Sequence, residues 1–276
     1  MPEKYIIASD GMKARIVRQY VREKHSYLEE YIKIFTQGMK YKWDGNLIYI
    51  DLFASCGKAI IADTNTEIDG SPLIALRYPF RFFFFNEIKS EKLEILKQRI
   101  QVRFPEKYEL CYFYCNDANH TVIDIYNQHQ VFQTKPKPLT LIFSDPNNLN
   151  PAYSTIQFIS DYFRADILFH FSTGMDLSRN IPKAVRIDES KIDKFIGDRE
   201  WRRYTNRNDI YRYYFKKLSR LGYHLGNDGY PFNKPVLNTR KIFLYHLFLL
   251  SKHKLGENFS KISLNYSTQQ GDLFSG

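Results

Sequence analysis

Three cysteines in 276 residues are too few, and lack the CxxC spacing, to build a disulfide framework or a zinc site. Cys111 and Cys115 would share one face of a strand, where two small buried residues explain them better than a redox pair. Neither GxGxxG nor a P-loop occurs, so the usual signatures of dinucleotide and nucleoside triphosphate binding are missing. Long apolar runs are missing as well. The longest, Ile242 to Leu250, is broken by His246 and falls far short of the ~20 residues that span a bilayer. Lys4, Asp10, Lys13 and Arg15 interrupt the stretch Met1 to Val17, so no secretory signal is expected. The chain reads as soluble and cytoplasmic, with no membrane partner and no metal. It has no internal repeat and no low-complexity linker.

What is present is a globular composition: 43% hydrophobic and 25% charged. Aromatics are abundant, with 22 Phe and 21 Tyr. They suit base-stacking surfaces, but an AT-rich genome explains them better. The net charge of +10 favours polyanionic partners such as nucleic acid.

The hydrophobic pattern alternates between two periods. Leu28, Ile32 and Phe35 recur at helical spacing, and Gly38 marks a stop. Leu47–Phe53 is a β-rich apolar run ending in the turn Ala54-Ser55-Cys56-Gly57. A helix follows Asp69-Gly70, with Ser71 as cap and Pro72 in the first turn. Strands are expected at Phe82–Phe85, Cys111–Cys115, Leu139–Phe143 and Ile167–Phe171. Helices are expected at Glu91–Ile100, Thr121–Tyr126 and Thr155–Phe163. Near-continuous apolar strands separated by amphipathic helices indicate a doubly wound, Rossmann-like α/β sheet, mostly parallel. A final antiparallel strand at Ile242–Leu250 and a short helix at Phe259–Leu264 would close a single domain, 1–276. Residues 1–46 read as an N-terminal helical extension and 269–276 as a mobile tail. Residues 172–220 read as a helical basic insertion, with thirteen Lys/Arg against seven Asp/Glu.

In open α/β sheets, ligands bind outside the carboxyl ends of the strands. Those ends carry Asp51, Phe53, Ala54 and Gly57 after the first strand and Glu87 after the second. Asp117 and Ala118 follow the third, and Asp145 the fourth. The set suits an adenosyl cofactor, S-adenosylmethionine. Gly57 permits close backbone approach, Glu87 would accept from the ribose hydroxyls, and Asp117 from the adenine amine. A helix-cap role fits Asp117 equally well. Asp145 would be the catalytic anchor, orienting a nucleophile or the cofactor's ammonium. His25 could overhang this site, although an ordinary helix histidine is the simpler reading. Trp201 with Arg202, Arg203 and Tyr204 fits a base-stacking basic patch; a solvated basic helix face fits almost as well.

The segments KHSYLEEY (24–31), YIDLFASCG (49–57), GSPLIAL (70–76), FFFFNE (82–87), NDAN (116–119), SDP (144–146), FIGDREW (195–201) and LYHLFLLSKHKLG (244–256) together resemble the three-Cys-motif partner protein (TcmP) family. The resemblance covers about Lys24 to Ile262. It implies a fold of the class I methyltransferase type and a partner that carries the three-Cys motif. The pattern departs from the family at Ser55 and Cys56, where Gly and Pro are usual. It departs again at Asp145-Pro146-Asn147-Asn148, where DPYG is usual.

Three functions follow. The first is an S-adenosylmethionine-dependent methyltransferase acting on nucleic acid or a nucleotide-like target. The second is a degenerate Rossmann partner that binds a three-Cys-motif protein. The third is a methyltransferase for a protein or small molecule.

Overall fold

Seven strands form the main sheet of the computed structural model, which describes residues 4–146, 148–171, 178–226, 229–237, 243–253, 256 and 258. Five of them are parallel neighbours: β3 (Leu47–Asp51), β6 (Phe82–Asn86), β7 (Cys111–Tyr114), β8 (Leu139–Ser144) and β9 (Arg164–Phe171). The last strand, β11 (Phe243–Leu250), is antiparallel to both β9 and β10 (Phe232–Leu237). The order is β10-β11-β9-β8-β3-β6-β7. A parallel sheet whose order reverses beside its first strand, with an antiparallel strand inserted near one edge, is the class I methyltransferase-type Rossmann arrangement.

Alternation along each strand explains why both faces must be covered. On one face Ile48, Ile50, Phe84, Ile142 and Ile167 pack with α4 (Ala118–Gln128), α5 (Tyr153–Tyr162), α7 (Lys191–Ile196) and α8 (Arg207–Arg220). On the other, Leu47, Tyr49, Phe83, Phe85 and Leu141 meet α1 (Val21–Met39), α2 (Ser71–Ala75) and α3 (Ser90–Arg103). With helices on both faces, no strand needs a polar side, hence runs such as Phe82–Phe85. The remaining helix, α6 (Ser178–Ala184), precedes α7.

Several local expectations change. Residues 1–46 are not helical throughout. Two strands, β1 (Tyr5–Ile7) and β2 (Lys13–Val17), precede α1, and the helix runs past Gly38. These strands join β4 (Lys58–Ile61) and β5 (Thr66–Asp69) in a second sheet, ordered β1-β2-β4-β5. The signal was the polar turn Asp63-Thr64-Asn65, in which Asn65 takes a φ of 50°. The cap of α2 is Gly70, not Ser71, because the Ser71 hydroxyl is committed to Asp51. Strand β7 stops at Tyr114, so Cys115 lies beyond it and is exposed. The expected helix Phe259–Leu264 and tail 269–276 lie outside the described residues.

Candidate active site

A cavity of about 1100 Å³ opens at the carboxyl ends of β3, β6, β7 and β8. Of the residues expected at the cofactor site, Phe53, Ala54, Gly57, Glu87, Asp117, Ala118 and Asp145 all line it. Asp51 does not line it. It is fully buried beneath the turn, accepting from the Phe53 N–H at 3.1 Å and from the Ser71 hydroxyl. Burial pushes its carboxyl up to about 7 against the pull of these hydrogen bonds. Asp51 therefore shapes the first turn without touching what the cavity holds.

That turn tolerates the missing glycine. Ser55 itself adopts the left-handed region, with φ 55°. Its Oγ is buried without a hydrogen-bond partner. Gly57, at φ 83°, cannot be replaced so simply: a Cβ there would sit 2.8 Å from Leu96 Cδ1. Its carbonyl accepts from Gly70 N at 2.7 Å, which joins the turn to the start of α2. Asn86 closes the other side. Its amide donates to the Leu52 carbonyl at 3.0 Å, and its Oδ1 accepts from the Thr121 hydroxyl at 2.8 Å. The end of β6 is thus tied to the first turn and to α4.

The acids take distinct positions. Glu87 Oε1 accepts from the Lys89 N–H at 3.0 Å, and Oε2 lies 3.7 Å from Lys92 Nζ. Asp117 is the N-cap of α4, its Oδ1 accepting from Asn119 N at 2.8 Å, and it also lines the cavity. The cap and cavity readings of Asp117 are therefore compatible. Asp145 engages two side chains of its own chain, the Lys24 ammonium and the His170 ring. Lys24 Nζ donates to Oδ2, and His170 Nδ1 lies 2.8 Å from Oδ1. Burial alone would raise the Asp145 carboxyl; Lys24 and His170 outweigh it and hold the group far below the usual carboxylate range. The anchor expected at this position is thus already engaged by Lys24 and His170.

Lys24, His170 and Tyr245 are wall residues that the strand-end pattern did not single out. The His170 and Tyr245 rings lie 4.0 Å apart, and His170 Nε2 has no hydrogen-bond partner among the described residues. His25 does reach the cavity. Burial, and secondarily the Lys24 charge, lowers its imidazole to about 3. Its ring bonds the Asp69 backbone, while Nδ1 has no partner.

The proposed stacking patch is corrected. Trp201 is 0% exposed, and its indole N–H donates to Asp193 at 2.7 Å, so it offers no face to a base. Arg202 is spent on the Asp193 carboxylate and on the carbonyls of Val185 and Ile187. Arg203 is exposed and pairs with Glu200 at 2.8 Å. None of the three lines the cavity. Among the described residues, the basic side chains of this segment that do are Lys191 and Lys194.

No family model and no curated protein matches the chain. Solved structures do resemble it. Trm1 from Pyrococcus horikoshii, in complex with S-adenosyl-L-methionine, is 12% identical at a TM-score of 0.41, over 89% of this chain and 62% of that one. Magnesium protoporphyrin IX methyltransferase from Synechocystis PCC 6803, with bound SAM, is 11% identical at 0.37, over 85% of each chain. TYW2 from M. jannaschii, in complex with AdoMet, is 10% identical at 0.37, over 90% of this chain and 84% of that one. These likenesses are loose, and the fold rests on the strand order itself. Among the described residues no cluster of metal-ligating side chains occurs, and no helix is long and apolar enough to cross a membrane.

Proposed function

We propose that the chain is an S-adenosylmethionine-dependent methyltransferase acting on nucleic acid or a nucleotide-like molecule. The observation that carries this is the coincidence of the cavity with the carboxyl ends at which the sheet order reverses. The residues present fit the cofactor. The orphaned Ser55 hydroxyl needs a partner that the described residues do not supply, and it sits on the cavity wall. Glu87 ends the second parallel strand, where a carboxylate meets ribose hydroxyls. Asp117 Oδ1 is held by the α4 cap, which fixes the carboxylate beside Ala118 for an exocyclic amine.

The bound cofactor would supply an activated methyl group. The chain's own work is to bind and align. Phe53, Ala54 and Gly57 form the turn against which the cofactor rests, and buried Asp51 holds that turn in shape. Lys24 of α1 and His170 of β9 meet Asp145 just past the end of β8. Asp145 holds both side chains on the cavity wall, next to the region where an acceptor would enter.

The segment resemblance to the TcmP family supports a partner bearing the three-Cys motif. A second reading, a degenerate Rossmann partner of that protein, is favoured by the Lys24 ion pair and the His170 ring that occupy Asp145. The free cysteines suit a reducing, cytoplasmic setting. Calorimetry with S-adenosylmethionine tests the proposal; a folded protein that binds neither it nor S-adenosylhomocysteine overturns it and leaves the second reading.

A further inference from the structure

We propose that Lys191 and Lys194 form a phosphate-binding site on the acceptor side of the cavity, so that the methyl acceptor is a phosphate-bearing molecule; this rests on the methyltransferase reading. The two residues are three apart on α7, which places them on one face of the helix. Both are exposed, and both line the cavity. Neither ammonium has an ion pair or hydrogen bond among the described residues.

The acid that lies between them cannot neutralise them. Asp193 is turned into the core, where Ser190 N, the Trp201 indole and the Arg202 guanidinium hold it. Buried Ile192, Phe195 and Ile196 fix the orientation of the helix, with Phe195 stacked 5.6 Å from Phe171 of β9. The carboxylates that line the cavity among the described residues are engaged elsewhere. Glu87 faces Lys92, Asp145 faces Lys24 and His170, and Asp117 caps α4. Two cations unpaired among the described residues attract an anion to this wall, and a phosphate offers enough oxygens for both.

Their place in the fold puts this anion on the acceptor. Strand β9, beneath α7, is separated from β6, which Glu87 follows, by β8 and β3. At ~4.8 Å per strand that is about 14 Å, so a cofactor with its ribose at Glu87 leaves the lysine wall to a second molecule.

The test uses the full chain saturated with S-adenosylhomocysteine, with inorganic pyrophosphate and a fluorescent oligouridylate as probes. The Lys191→Ala/Lys194→Ala double variant is expected to bind these probes at least about tenfold more weakly, the cost of lost charge-assisted hydrogen bonds. Its affinity for S-adenosylhomocysteine should match wild type, and Lys194→Arg should retain most probe binding. A loss seen with pyrophosphate alone assigns a small phosphorylated acceptor; a loss greatest for the oligonucleotide assigns nucleic acid. Equal probe binding by wild type and double variant overturns the site, as does wild type that binds neither probe. If wild type failed to bind S-adenosylhomocysteine while lysine-dependent anion binding persisted, only the methyltransferase reading would fall.

Discussion

Lys24 and Asp145 stand 121 residues apart and meet as an ion pair on the cavity wall, joining α1 to the end of β8. Their side chains are only 9% and 17% exposed. Lys24→Ala would leave a nearly buried carboxylate with His170 alone. The expected loss is about 3–5 kcal/mol of stability, as for other broken buried pairs, read from the urea midpoint at constant slope. The wild-type pair also gives an acid-side signature. A carboxylate held below its unfolded value stabilises the fold above that value, and this contribution is lost as pH falls through the folded one. Lys24→Ala should therefore flatten the acid limb of the stability curve; an unchanged limb would mean that the pair contributes nothing.

Asp51 carries the opposite sign. Its carboxyl is raised to about 7 from the ordinary 3.8, chiefly by burial. Such a group stabilises most below its unfolded value, and that contribution is lost as pH rises through 7. Asp51→Asn cannot titrate. Thermal melts from pH 4 to 8 should therefore move in favour of the variant, relative to wild type, as pH rises. A constant difference across that range would contradict the assignment.

The pattern of apolar runs made the parallel sheet legible because strands covered on both faces need no polar side. Phe82–Phe85 and Leu139–Phe143 declare themselves in this way. It also placed the strand-end residues of the cavity, since topology alone puts Glu87, Asp117 and Asp145 at one edge. Partners from distant segments were not legible. Nothing near Lys24 in sequence points to Asp145, and nothing near Asp51 shows that Ser71 is committed to it. Strands β1, β2, β4 and β5 are no longer than β6 but are interrupted or flanked by polar or charged residues, as in Thr66-Glu67-Ile68-Asp69, so they form no apolar run that marks a covered strand. Trp201-Arg202-Arg203 looks like a stacking patch because composition cannot tell a buried indole from an exposed one.

Glu87→Ala is expected to weaken S-adenosylmethionine binding by about 1–3 kcal/mol, the loss of hydrogen bonds to a charged acceptor. Calorimetry reads this directly. The fold should survive, because the backbone bond from Glu87 N to the Tyr114 carbonyl does not involve the side chain. Unchanged affinity in the folded variant would remove Glu87 from the cofactor site.

His25 should remain neutral throughout the physiological range. Burial lowers its imidazole to about 3, with the Lys24 charge acting in the same direction. Nitrogen chemical shifts of the labelled ring, followed from pH 5 to 8, are expected to stay constant. A neutral ring whose N–H is directed to the Asp69 carbonyl keeps Nδ1 as an acceptor on the cavity wall. A titration centred near 6.5 would mean that the ring is solvated and that its bond to Asp69 does not hold in solution.

Arg202 and Arg203 are neighbours in sequence and should behave as opposites. Arg202 completes a cluster in which Asp193 also accepts from Trp201 and Ser190, and the Asp193 side chain is only 8% exposed. Arg202→Glu would set two acids against each other there, and is expected to cost at least about 3–5 kcal/mol, the scale of a broken buried pair. Trp201→Ala should cost a similar about 3–5 kcal/mol, through the cavity it leaves and the donor it removes. Arg203 is 77% exposed and faces Glu200 across one helical turn. Arg203→Glu should change stability by no more than about 0.5 kcal/mol, because solvent screens that pair. Urea unfolding of the three variants separates these expectations. If Arg203→Glu instead weakened oligonucleotide binding while stability held, the exposed edge of this segment would join Lys191 and Lys194 as a contact for phosphate. If Arg202→Glu were as stable as wild type, the Asp193 cluster would not be what holds α7 with its lysines towards the cavity.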